Sequence, residues 1–135
     1  MNFNNFAVQV HESNKKRGID VSKENLGQTL LQIVSEIVES MEADRSDKKG
    51  MLNDFFQDLK LANLTIDDFN LDNSNYRLIK NRFETTIKDS FEDEIADTFL
   101  RLFDLCGALN IDIENHIKLK MAYNESREYK HGKKY

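Results

Sequence analysis

The sequence predicts an all-α protein. Its 135 residues include no proline and only five glycines, so few positions forbid a helix and few invite a tight hairpin. Apolar residues recur at steps of three and four along several stretches, the period of a helix face. The length suits one domain with a real core and is short for two.

Taken in order, the first long helix is expected over about residues 22 to 43. There Leu26, Leu30, Ile33, Val34, Ile37, Val38 and Met41 keep helical spacing, and Asp20 or Ser22 stands where a cap belongs. The stretch EADRSDKKG then loses periodicity and gains charge of both signs, an exit loop punctuated by Gly50. A short helix follows over 51 to 64 through Leu52, Phe55, Phe56 and Leu59, then the polar loop TIDDFNLDNSN. Tyr76 to Lys88 reads as another helix. Ser90, with Asp93 three residues on, makes a capping-box-like start for a helix over 91 to 107, FEDEIADTFLRLFDLCG. Asn110 can end that helix in a left-handed turn, and Asp112 can cap a last one carrying Ile113, Ile117 and Met121. Beyond Arg127 the tail EYKHGKKY turns basic.

A formal net charge of −5 argues against affinity for nucleic acid polymers or anionic membranes, which are held by clustered Lys and Arg. No run approaches the roughly 18 apolar residues of a membrane span. The amino-terminal stretch lacks the apolar core of a signal peptide, so a cytoplasmic location is expected. Cys106, the sole cysteine, has no second thiol for a disulfide or metal clip and is expected to be a buried, inert side chain.

Two acidic pairs stand out. On a wheel of 100° per residue, Phe91, Ile95, Phe99, Leu102, Phe103, Leu105 and Cys106 cover more than half of the 91–107 helix. The remaining sector holds Glu94, Asp97, Arg101 and Asp104, with Glu94 and Asp97 at i and i+3 projecting from adjacent turns. Such carboxylates repel unless a cation, a proton or an arginine intervenes. The first long helix carries a second pair, Glu36 and Glu39, also at i and i+3. That helix taken alone puts them opposite its Leu30, Val34, Ile37, Met41 face, on what would ordinarily be a solvated side. If the two pairs face each other, four carboxylates make an all-oxygen site suited to Mg²⁺ or Mn²⁺. The Glu-x-x-His step of di-iron bundles is absent from both.

Glu36-Ile37-Val38-Glu39 as E-x-x-E, and Glu94-Ile95-Ala96-Asp97 as E-x-x-D, lie on two long apolar helices. With the closing stretch KMAYNESREYKHGKKY, from Lys120 to Tyr135, they resemble the MazG-like all-α nucleoside triphosphate pyrophosphohydrolases. The likeness spans about residues 24 to 45 and 85 to 135. It departs from the family in two ways. Fifty-four residues separate Glu39 from Glu94, so 46–85 reads as an inserted helical and loop segment within a single domain spanning 1–135. Ser35 stands where many relatives have a further glutamate, which leaves one or two metals open.

The resemblance implies a helical bundle completed by oligomerisation into a homodimer or homotetramer. It also implies a metal-dependent hydrolase that splits a nucleoside triphosphate into monophosphate and pyrophosphate by water attack at the α-phosphorus. In it Glu36, Glu39, Glu94 and Asp97 hold Mg²⁺, or Mn²⁺, and carry catalysis, while Lys120, Asn124, Arg127 and Lys133 bind substrate. By periodicity alone Lys120 is a solvated helix residue. Tyr76, Phe83 and Phe91 fit a core better than a base pocket, and His11 and His116 have no ligand-like neighbour in sequence. The rival expectation is a non-catalytic nucleotide-binding or helical protein-interaction domain.

Overall fold

The structure is a computed structural model, and it describes residues 2–127. Among these the chain forms six α-helices, one 3₁₀ turn and no strand: α1 (Phe3–Lys16), α2 (Leu26–Arg45), α3 (Leu52–Leu61), the 3₁₀ turn (Ile66–Asp68), α4 (Tyr76–Thr86), α5 (Phe91–Ala108) and α6 (Ile113–Glu125). None of these helices is long and apolar enough to cross a membrane. They belong to two compact units. One gathers the chain up to Leu30 and from Leu100 onward, the other spans Leu31–Phe99, and α2 and α5 each contribute one end to either unit.

In the first unit, α1 is the element the sequence reading did not anticipate. Its signals are local: Asn2 caps it by accepting the Asn5 amide at 2.9 Å, and Lys15 and Lys16 occupy its last turn. Gly18, at φ 83°, closes it while the Ile19 amide donates to the Asn14 carbonyl, a Schellman ending. α1 lies against the carboxyl-terminal half of α5. A Cβ on Gly107 would stand 2.3 Å from the Ala7 carbonyl oxygen, so only glycine admits this approach. Beside it the Phe3 and Phe6 rings pack on Phe103 at 5.9 and 5.0 Å between centroids. Asn4 ties α1 to α6, donating to Asp112 at 2.7 Å and accepting the Glu114 amide at 3.1 Å. Asn110 has the left-handed φ of 52° expected of it, and Asp112 caps α6 by accepting the Asn115 amide.

In the second unit α3 and α4 bury Phe55, Leu59 and Ile79 around one another, with Leu64, Phe83 and Ile87 packed against that cluster. The polar segment between them is more ordered than a plain loop. Asp68 accepts the Thr65 amide and the Asn73 amide group, which shapes the 3₁₀ turn. The Met51 amide donates to the Thr86 carbonyl and the Phe91 amide to the Lys48 carbonyl, fastening the start of α3 and the start of α5 to their surroundings. Ser90, buried, caps α5 by accepting the Asp93 amide at 3.3 Å. Asp93 reaches back to the Asp89 amide, one residue short of an ideal capping box.

α2 begins later than expected, at Leu26, because Asn25 folds residues 20–25 into a turn by accepting the Ser22 amide and donating to the Asp20 carbonyl. Its faces are also inverted. Thr29, Ile33, Glu36, Ser40 and Ala43 form the buried stripe, while Leu30, Leu31, Val34, Ile37, Val38 and Met41 are exposed, Leu31 to 72 %. The solvated side expected for Glu36 is therefore the inward one.

Candidate metal centre

The second unit brings together three of the four predicted carboxylates. Single oxygens of Glu36 and Glu39 on α2 and of Glu94 on α5 lie within 4.8 Å of one another. Glu36 and Glu94 are each only 6 % exposed, whereas Glu39 is open to solvent. The i, i+3 spacing places Glu36 and Glu39 on one side of α2, and the Ser90 cap fixes where α5 begins and so which way Glu94 points.

The electrostatics follow from that placement. Burial first, and then the negative charges of Glu39, Glu36, Asp93 and Asp97, push the Glu94 carboxyl from an ordinary 4.5 up to about 7. A carboxyl in such company is half protonated at neutral pH. A divalent cation removes the repulsion that the proton otherwise relieves. Three carboxylate oxygens from two helices form a hard, all-oxygen donor set, the kind that suits Mg²⁺ or Mn²⁺ over softer metals, so the residues present fit such an ion.

Asp97, one turn beyond Glu94, is exposed and outside the converging trio. It contributes through its charge, which helps raise Glu94, and it has an interaction of its own, as do Glu36 and Arg101. The third acid of the α5 stripe has a different task. Asp104, 3 % exposed, is bound at 2.8 Å by His11 Nδ1 and at 2.6 Å by Asn14 Nδ2, both from α1. His11, which looked isolated in sequence, thus has a structural partner 93 residues away.

Ser35 is the residue that sequence reasoning undervalued. Its hydroxyl donates to Glu39 Oε1 at 3.0 Å and fixes the one exposed carboxylate of the trio. The clue was its place four residues before Glu39 on a helix face. Lys120, Asn124 and Arg127 belong to the first unit and are exposed. Lys120 and Arg127 each stand over the Tyr123 ring, at 5.2 and 5.6 Å from its centroid. Lys133 lies outside the described residues. Cys106 is buried as expected, and burial raises its thiol pKa, leaving it unreactive. A comparison with protein-family models, curated proteins and solved structures finds no match to this chain.

Proposed function

We propose that this protein is a metal-dependent nucleoside triphosphate pyrophosphohydrolase of the MazG-like kind its motifs resemble. The observation that carries the proposal is the convergence of Glu36, Glu39 and Glu94 from two separate helices. A solvated acidic face has no reason to draw three carboxylates together from two helices and bury two of them, because like charges brought close out of water repel. A cation-binding site does.

Glu36, Glu39 and Glu94 would hold Mg²⁺ or Mn²⁺, with Asp97 adding negative charge at the edge of the site. The ion would offset the charge of a triphosphate and acidify a water for attack at the α-phosphorus. Ser35 orients Glu39. On this reading Lys120, Asn124, Arg127 and Lys133 serve the phosphates and sugar. The exposed apolar face of α2, from Leu30 to Met41, supports a homodimer or homotetramer, since an apolar stripe that wide calls for a covering surface.

The test is pyrophosphate release from a panel of nucleoside triphosphates with Mg²⁺, Mn²⁺ or EDTA. Release is expected only with metal; Glu36→Gln should abolish it and Asp97→Asn should slow it, while both leave the far-UV circular dichroism of the helices unchanged. Full activity in both variants would remove the carboxylates from the chemistry. A folded protein that releases nothing would favour the non-catalytic binding domain.

A further inference from the structure

A cavity of about 780 Å³ opens at the start of α5, within the size range of small-molecule sites. Its walls come largely from the segment that has no counterpart in the motif pattern, through Met51 and Leu52 at the start of α3 and Phe83 near the end of α4, with Ile87 following α4. The floor is α5, through Ser90, Asp93 and Ala96. Asp93 and Glu94 are consecutive on that helix and so project about 100° apart. The cavity and the candidate metal centre therefore occupy adjoining faces of the first turns of α5.

The chemistry of the cavity is selective. Phe83 is held in place before any ligand arrives, its ring set edge-on to Phe55 at 6.3 Å and tilted against Phe69 at 6.0 Å. With Met51, Leu52 and Ile87 it offers an apolar wall for a flat group. The polar lining is Asn53, Asp54, Ser90, Glu92 and Asp93, with three carboxylates and no lysine or arginine. A phosphate would be repelled here, whereas a neutral heterocycle with a hydrogen-bond donor would not. Glu92 is committed to the Gly50 amide at 2.8 Å. Asp93 is steadied by the Asp89 amide on Oδ2 at 3.0 Å, and no hydrogen bond from a described residue occupies Oδ1.

We propose that this cavity is the nucleobase subsite, and that it selects bases bearing an exocyclic amino group over their keto counterparts. A carboxylate only accepts hydrogen bonds. It therefore pairs with the amino group at C4 of cytosine or C6 of adenine and repels the carbonyl that uracil or hypoxanthine places at the same position. The proposal rests on the pyrophosphohydrolase reading above, because it assigns the triphosphate to the neighbouring acidic trio.

The experiment compares kcat/KM for two matched pairs, dCTP with dUTP and ATP with ITP, in the wild type and in Asp93→Asn. The variant keeps an acceptor for the Asp89 amide and adds a donor toward the base, so the start of α5 is preserved. The wild type should favour the amino member of each pair by about tenfold or more, the scale of a hydrogen bond to a charged group. Asp93→Asn should shrink that ratio by a similar factor. Equal rates within each pair, or a preference that Asp93→Asn leaves unmoved, would overturn the subsite while leaving the reaction standing. If no nucleotide releases pyrophosphate, the reaction falls, and equilibrium dialysis of the same four nucleotides with Mn²⁺ decides the subsite. Tighter binding of dCTP and ATP would sustain it; equal or absent binding would overturn it as well.

Discussion

Glu94 gives the sharpest stability prediction. Its carboxyl titrates near 7 in the folded chain against an ordinary 4.5. At about 1.4 kcal/mol per unit, ionising it in the native state costs up to about 3 kcal/mol. The sign follows from proton counting. Below pH 4.5 both states hold the proton and there is no penalty. Between 4.5 and 7 the unfolded chain has lost the proton that the folded chain keeps, so stability falls as pH rises, and above 7 the loss is complete. Glu94→Gln carries no charge at any pH. In urea unfolding with EDTA present, the stability of Glu94→Gln relative to the wild type should therefore improve by roughly 2–3 kcal/mol between pH 4 and pH 8, with most of the change between 4.5 and 7. Adding Mg²⁺ at pH 8 should restore the wild type and leave the variant unmoved. A relative stability that stays constant across this range, or that moves against the variant, would refute the burial and repulsion assigned to this site.

Other perturbations separate the structural residues from the functional ones. Asp104→Ala leaves the donors of His11 and Asn14 without their acceptor and should cost about 2–4 kcal/mol in urea unfolding, with Asp104→Asn recovering part of it. Gly107→Ala places a Cβ 2.3 Å from the Ala7 carbonyl oxygen. It should lower Tm by the equivalent of about 1–3 kcal/mol despite the better helix propensity of alanine. Ser35→Ala removes the hydroxyl that steadies Glu39; Mn²⁺ titration should show about two- to tenfold weaker binding with unchanged thermal stability.

Much of the helical order was legible because its signals are local. Ser90 before the α5 run, Asn110 after it and Asp112 before α6 each act through a side chain or backbone angle within a few residues, and each appears in the role its type predicts. The start of α2 was displaced by an equally local effect, the Asn25 turn, which competes with the caps at Asp20 and Ser22. What sequence could not show is which face of a helix its own chain covers. A wheel ranks the faces of α2 by polarity and assigns Leu30, Val34 and Met41 to the core, but the chain buries Glu36, Ser40 and Ala43 instead. The pairing of Asp104 with His11 is a contact between distant segments, and no spacing rule on either helix encodes it. At the site, the i, i+3 pairs marked both acidic motifs. That Glu36, Glu39 and Glu94 converge while Asp97 stays outside the trio depends on how α2 is turned toward α5.

The most direct test is hydrolysis of a nucleoside triphosphate in ¹⁸O-labelled water with Mg²⁺, the products resolved by ³¹P NMR and mass spectrometry. Attack at the α-phosphorus predicts pyrophosphate and a nucleoside monophosphate that carries the label, with no turnover in EDTA. Label in inorganic phosphate, products formed without metal, or no turnover by the folded protein would contradict it.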